Sequence, residues 1–205
     1  MKIRNIMTMA KAVSLLSSPF YLPIIGLAAL FTFSYLSLLP FTYKVFVLIM
    51  VYLFTCLLPT TLIRLYHSYH GWTPFEFGAR ERRIIPYVVS ILCYFTCYYV
   101  MMLMHMPHLM GSIVVAALAT QVVCAMINMW WKISVHMAAI GAMAGSLASF
   151  AAIFMFNPIW WLSVIIFFAG MIGSARMILR QHTLRQIYIG FIIGVMTGAV
   201  TVITV

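Results

Sequence analysis

The chain has 205 residues, of which 65% are hydrophobic and 7% are charged, and its formal net charge is +10. Soluble domains carry roughly a quarter charged residues, so this composition excludes a soluble globular protein and predicts an integral membrane protein. Only two acidic residues are present, which argues against paired-carboxylate mechanisms and acid-rich divalent-metal sites. The basic residues lie in short loops, so we expect them to meet lipid headgroups rather than nucleic acid.

The first 17 residues form a segment of mixed character. Lys2, Arg4 and Lys11 are scattered among apolar residues, and no small-residue cleavage site follows a compact apolar run. This pattern predicts an interfacial amphipathic segment rather than a removed signal peptide.

Apolar segments long enough to cross a bilayer follow one another through the rest of the chain. A spanning helix needs about 20 apolar residues. The candidate spans are residues 18–39, 42–64, 85–105, 109–130, 134–155, 158–178 and 186–204. We therefore predict an all-α polytopic membrane helical bundle with six or seven transmembrane helices, in which residues 1–205 form a single integral membrane domain.

Small residues recur at intervals of four in two of these spans. Gly141 and Gly145 do so in the fifth span, and Gly190, Gly194 and Gly198 do so in the last. Such spacing allows helix backbones to approach closely, so these glycines predict helix packing. The four cysteines (Cys56, Cys93, Cys97 and Cys124) lie inside apolar segments without a CxxC pair and are predicted to be small packing residues.

The order of the spans predicts that three basic loops share one membrane face. Because spans three and four form one hairpin and spans five and six form another, the loop 65–84, the turn 131–136 and the turn 176–185 emerge together. Their cations are Arg80, Arg82 and Arg83 in the first, Lys132 in the second, and Arg176, Arg180 and Arg185 in the third. Three basic loops on one face can build one anion site.

The turn 176–185 contains the most informative pattern of the chain. Arg176 is followed after five residues by His182 and after three more by Gln186. A histidine can act as nucleophile, acid or base near neutral pH, and cationic donors stabilise a transferring phosphoryl group. His182 and Gln186 are four residues apart and share a helix face, so Gln186 can accept a hydrogen bond from the imidazole and fix its tautomer. The pattern predicts a phosphoryl-transfer site at the membrane.

The three loops resemble, in order and spacing, the three motifs of the type-2 phosphatidic acid phosphatase (lipid phosphatase and vanadium haloperoxidase) superfamily. The third motif, SRxxxxxHxxxD, matches Arg176, His182 and Gln186, with Ala175 in place of Ser and Gln186 in place of Asp. Ile187 and Gly190 continue this pattern.

The other two motifs match less completely. The second motif, PSGH, corresponds to Ile133-Ser134-Val135-His136. The first, KxxxxxxRP, retains Pro86, whereas Gly78 and Ile85 stand at the Lys and Arg positions and three arginines lie nearby. The phosphatase-like core thus covers residues 76–190.

The resemblance implies a metal-independent reaction with a phosphohistidine intermediate on a lipid phosphate or diphosphate, without a cofactor. In such an enzyme His182 attacks phosphorus, Arg176 neutralises phosphate oxygens, and His136 protonates the leaving alcohol. Ser134 adds a hydrogen bond, Gln186 stands at the orienting position, and the remaining phosphate ligands would be Arg80, Arg82, Arg83 and Lys132. Lys132 also follows Trp130-Trp131 and could instead be an interfacial anchor. The lipid itself is left open among phosphatidate, phosphatidylglycerol phosphate, polyprenyl diphosphate and lipid A phosphates.

Two other classes of function remain open from the sequence. One is a catalytically inactive lipid-phosphate binding or scaffold protein, because Gln186 lacks the charge of the family's Asp. The other is a bis-histidine haem or quinone protein, because His67 and His70, like His105 and His108, are spaced to share one side of a helix.

Charge distribution also bears on localisation. The resemblance suggests the inner (cytoplasmic) membrane of a bacterium, where relatives with these motifs usually face outward. Outside the motifs, Lys2, Arg4, Lys11 and Arg64 outnumber Lys44 on the other face, and we therefore expect the basic face to lie in the cytoplasm.

Overall fold

The computed structural model describes residues 2–33, 35–69 and 80–205. Over these residues the chain is all-α, and no strand is present in the described part. The helices are α1 (Lys2–Leu16), α2 (Leu22–Phe33), α3 (Phe41–Tyr52), α4 (Leu58–Tyr69), α5 (Arg80–Leu103), α6 (His108–Trp130), α7 (Val135–Phe154), α8 (Ile159–Ile178) and α9 (Leu184–Thr204). A π-helical turn over Leu53–Leu57 joins α3 to α4 without a break.

Six stretches of helix in the described residues are long and apolar enough to cross a membrane. They are Phe41–Tyr66, Ile84–Leu103, His108–Trp130, Val135–Phe154, Ile159–Ile178 and Leu184–Thr204. The prediction of an all-α polytopic bundle with six or seven spans is thereby confirmed.

The first predicted span, 18–39, differs from the others because its helix is short. Helix α2 has 12 residues, about 18 Å of helix, whereas the hydrocarbon core of a bilayer is about 30 Å thick. Pro19 separates α2 from α1: the residue before a proline is disfavoured in helical conformation, and α1 ends at Leu16, two residues before Ser18.

Prolines stand at the start of three helices. Pro40, Pro107 and Pro158 occupy the N-cap positions of α3, α6 and α8. A proline has no backbone N–H to leave unpaired there, and it cannot continue a preceding helix.

Helices α7 and α9 form the tightest helix pair of the fold, and their glycines are the reason. A Cβ atom at Gly141 or Gly145 would collide with backbone carbonyls of α9, and one at Gly194 or Gly198 would collide with those of α7. At Gly190 an added Cβ would lie 2.8 Å from the Ser134 carbonyl oxygen. The predicted packing role of the glycines is confirmed, and the pair holds the start of α7 against the start of α9.

The packing of the remaining helices places the start of α5 and the turn between α6 and α7 at one end of the bundle. Helix α6 packs on α5, α7 and α9, whereas α8 packs on α1 and α7. Near the start of α5, Tyr87 packs against the buried cluster that includes Cys124 and Ile133. The start of α5 therefore lies at the same end as the turn between α6 and α7, as predicted. All four cysteines are buried free thiols.

Candidate active site

The turn between α8 and α9 is shaped by two local features. Arg180 adopts a left-handed conformation with φ of 52°, which reverses the chain just after α8 ends at Ile178. Thr183 is the N-cap of α9, and Thr183 and Gln186 form a capping box: each side chain accepts a hydrogen bond from the other residue's backbone N–H. His182 lies immediately before this cap and is therefore held between two fixed helix ends.

The imidazole of His182 has a defined tautomer because of Gln186. The Gln186 Oε1 atom lies 3.2 Å from the backbone N of Thr183, a group that can only donate, so this atom is the acceptor oxygen of the amide. The same oxygen lies 3.2 Å from His182 Nδ1. Nδ1 must then carry the proton, which leaves the lone pair on Nε2.

Arg176, in the last turn of α8, lies against that lone pair. Its Nη2 is 3.3 Å from His182 Nε2 and donates to it, while Nη1 donates to Ser14 Oγ at 2.8 Å. The Nε atom of Arg176 is buried and has no hydrogen-bond partner among the described residues. The guanidinium thus offers an unused donor next to the histidine.

The second motif meets the third at the start of α7. The imidazole of His136 hydrogen-bonds the backbone carbonyl of Ser14 and lies within electrostatic reach of both Arg176 and His182. The structure therefore brings together His136, Arg176, His182 and Gln186, which the sequence predicted as one group.

Ser134, at the N-cap position of α7, is completely buried. Its side chain makes no capping bond, and its hydroxyl has no partner among the described residues. An unpaired buried hydroxyl is costly. It can be satisfied by a ligand oxygen that reaches the first turn of α7, where backbone N–H groups are also unused by the helix.

The other predicted phosphate ligands are placed less completely. Lys132 is half-buried in the turn between α6 and α7. For Arg80, Arg82 and Arg83 the structure gives the backbone at the start of α5, at the site end of the bundle, and their side chains lie outside the described part. Gly78, Glu76 and His70 also lie outside the described residues. Arg180 and Arg185 are exposed in or beside the α8–α9 turn.

Ser14 is the site residue that sequence reasoning missed. It lies near the end of α1, and it contacts Arg176 through its hydroxyl and His136 through its carbonyl. Ser14 and Arg176 are separated by 162 positions, and nothing in the local pattern of α1 predicts such a contact. The amphipathic character of the segment was the only signal, and it pointed to the membrane surface.

No carboxylate among the described side chains neutralises the positive charge of Arg176. The chain contains only two carboxylate side chains, Glu76 and Glu81, and both lie outside the described side chains. Among the described residues, no group of three or more His, Cys, Asp or Glu residues could hold a metal ion. The pair His105 and His108 is exposed at the far end of α6, about 33 Å from the site along this helix of 23 residues.

The part of the chain that carries His136 and His182 matches a known protein family. Residues 128–205 match the model of the PAP2 superfamily. This match supports membership of the PAP2 superfamily. The resemblance seen in the sequence is thereby confirmed, and the matched part extends from the end of α6 through α9, including both His136 and His182. PAP2 proteins are generally phosphatases. No curated protein and no solved structure gives a significant match.

Proposed function

We propose that this PAP2 protein is a lipid phosphatase or phosphotransferase that acts on a lipid phosphate or diphosphate through a phosphohistidine intermediate, without metal or cofactor. The observation that supports the proposal best is the contact of Arg176 with the Nε2 lone pair of His182, in a part of the site where no described carboxylate neutralises the guanidinium. A half-buried cation of this kind is stabilised by an anionic ligand, and a phosphate monoester is a dianion.

The first half-reaction follows from the tautomer of His182. A phosphate that binds the Nε and Nη2 groups of Arg176 takes over the hydrogen bond that Nη2 now gives to His182. Nε2 then attacks phosphorus, the Nε2–P bond forms, and the bond from phosphorus to the lipid oxygen breaks. His136 takes up a proton when the phosphate dianion binds beside it, and it gives this proton to the leaving lipid oxygen from the ring nitrogen that is not bonded to Ser14. The lipid thus leaves as an alcohol, and His136 becomes neutral.

The second half-reaction regenerates the histidine. Water attacks the phosphohistidine, His136 accepts the water proton, and inorganic phosphate leaves as the Nε2–P bond breaks. If an acceptor alcohol takes the place of water, the same geometry transfers the phosphoryl group.

The start of α7 supplies further stabilisation in this proposal. Its first backbone N–H groups and the unpaired hydroxyl of Ser134 would bind phosphoryl oxygens, because helix N-termini carry partial positive charge. Lys132 would contribute charge from the preceding turn, and Arg80, Arg82 and Arg83 would do so from the start of α5.

Phosphate release from a panel of lipid phosphates and diphosphates, measured in detergent with EDTA, tests this function. The unmodified protein should release phosphate, His182→Ala should release none, and mass spectrometry should find phosphate on His182 after rapid quenching. The matched control is His105→Ala, which removes an exposed imidazole remote from the site. Retained turnover in His182→Ala would show that His182 is not the nucleophile.

A second function, binding of lipid phosphates without turnover, is favoured by one observation. The partner of His182 Nδ1 is the neutral amide of Gln186, which orients the imidazole but does not stabilise its protonated form by charge. Saturable binding of the same lipids, with no phosphate released from any of them, would establish this function in place of catalysis.

We also propose that the site faces the cytoplasm of a bacterial cell. Gln181 is exposed in the α8–α9 turn, so Gln181→Cys reports sidedness. In intact cells an impermeant maleimide should fail to label this variant until the membrane is permeabilised. Labelling in intact cells would show that the site faces outward, and it would not affect the proposed phosphoryl-transfer reaction.

A further inference from the structure

A long apolar cavity begins beside the candidate site and extends into the bundle. Its volume is about 500 Å³, and it lies between α2, α6, α7 and α8. At the site end it is lined by Val13 and Val135, the chain neighbours of Ser14 and His136. At the far end it reaches Phe154 and Trp161. The cavity thus ends next to the residues that would bind phosphate, although His136, Arg176 and His182 do not themselves line it.

The length of this cavity matches the hydrocarbon part of a membrane. Helix α7 lines it from Val135 to Phe154, which is the whole helix of 20 residues. That length corresponds to about 30 Å, the thickness of the bilayer core.

The walls differ between the inside and the outside of the bundle. The inner wall, on α6 and α7, consists of buried residues such as Ile113 and Ile140. The outer side is flanked by large apolar residues that remain exposed: Ile25 of α2 is 46% exposed, and Val164 and Phe168 of α8 are 43% and 49% exposed. The cavity therefore opens laterally, between α2 and α8, toward the lipid phase.

Two of the few polar groups in the wall are hydrogen-bonded within the protein. Thr120 bonds to Thr197 of α9, and the hydroxyl of Ser146 bonds to a carbonyl of α9. The hydroxyl of Tyr94 lies near Gln121 in the same part of the wall, and it is a single buried hydroxyl without a hydrogen-bond partner among the described residues. A cavity of this character offers hydrocarbon contacts to a ligand and does not favour water.

We propose that this cavity holds one hydrocarbon chain of the phosphorylated lipid, which enters from the bilayer between α2 and α8 while its phosphate lies at Arg176 and His182. The inference rests on the proposed function and extends it to the substrate class: long-chain lipid phosphates with one chain inside the protein and any second chain left in the bilayer. The chain would position the phosphate rather than provide hydrophobic energy, because the bilayer is equally apolar.

Two alanines on α2 give a matched pair of variants. Ala29 lines the cavity, whereas Ala28 is exposed and lies outside it. Ala29→Phe should fill part of the cavity and displace long chains, and displacement of a reacting group by 1 Å can cost about a hundredfold in rate. We expect kcat/KM for hexadecyl phosphate to fall by roughly ten- to a hundredfold, with octyl phosphate little changed, and Ala28→Phe to leave both unchanged.

Ala117→Phe in α6, on the opposite wall, is a second variant that fills the cavity. It shows whether an effect of Ala29→Phe is caused only by a local folding defect. Loss of long-chain preference in either variant supports the inference. Equal turnover of hexadecyl and octyl phosphate in the unmodified protein and in both variants overturns it, while still leaving the protein a phosphatase.

A photolabelling measurement separates the inference from the chemistry. In His182→Ala, hexadecyl phosphate with a diazirine in mid-chain should label peptides of α6 and α7 that line the cavity, and Ala29→Phe should abolish this labelling. Labelling confined to outward-facing residues overturns the inference. Since this readout needs no turnover, an absence of phosphate release in the unmodified protein would overturn the proposed function alone.

Discussion

His182 Nδ1 lies 3.2 Å from the Oε1 atom of Gln186, and this oxygen also accepts the backbone N–H of Thr183. One amide oxygen therefore caps the start of α9 and orients the imidazole. The cap keeps the oxygen in place whether or not a substrate is bound, so the Nε2 lone pair always points toward Arg176. A carboxylate in this position would perform both tasks and would also stabilise the protonated ring.

Changing Gln186 to Glu tests the value of that missing charge. Glu is equally suited to a capping box, so Gln186→Glu should preserve the turn. Charge-assisted hydrogen bonds are about twice as strong as neutral ones, and we expect kcat for phosphate release to rise several-fold, on the order of tenfold. Steady-state kinetics with one lipid phosphate measure the change. Gln181→Glu adds the same charge at an exposed position of the turn, and an equal rise in that control would show a general charge effect.

Arg176→Lys retains a positive charge but removes the planar set of donors. A lysine cannot reach both Ser14 and His182 while presenting a third N–H to phosphate. We expect kcat/KM to fall by about a hundredfold or more, consistent with the loss of a transition-state donor. Arg180→Lys alters an exposed arginine four residues away and should leave the kinetics unchanged. Near-normal activity of Arg176→Lys would contradict a role as a forked phosphate ligand.

Ser14→Ala tests whether α1 positions the arginine. The Ser14 hydroxyl accepts the Nη1 hydrogen bond of Arg176, and a hydrogen bond to a charged group contributes about 1.5–3 kcal/mol. Without it the guanidinium is less restrained, and we expect kcat/KM to fall about tenfold with an increased KM for lipid phosphate. Ser163→Ala removes an exposed hydroxyl that bonds the Ile159 carbonyl within α8, away from the site, and should be silent. If both serine variants behave alike, the contact has no specific role.

Gly194→Ala tests the close contact of α7 and α9. The added Cβ would collide with the Ala138 backbone of α7, so the helices must separate at a cost of about 1–3 kcal/mol. The temperature of unfolding in detergent should fall, and activity should fall with it because α7 carries His136 and α9 follows His182. Gly170→Ala is the control: nothing lies within 4 Å of an added Cβ there, and its stability should be unchanged or raised. Equal melting temperatures for the two variants would show that the contact can relax.

The parts of the site that were predictable from the sequence are those fixed by local geometry. His182 and Gln186 are four residues apart at a helix start, and the glycine intervals reveal the α7–α9 contact directly. The arrangement of His136 near Arg176 was predictable from the order of hairpins. The Ser14 contact was not, because it depends on how α1 packs on α8. The short α2 was also missed, since hydropathy reports apolar length and not the turn around Pro19 that separates α1 from α2.

The packing of α1 on α8 also constrains how the protein is made. Ser14 and Arg176 are 162 positions apart, so at about 5–20 residues per second the ribosome needs roughly ten to thirty seconds between them. During that interval α1 has no α8 to pack on and must rest where its mixed character allows, at the membrane surface. Assembly of the site is consequently a late event, completed only after the eighth helix has entered the bilayer.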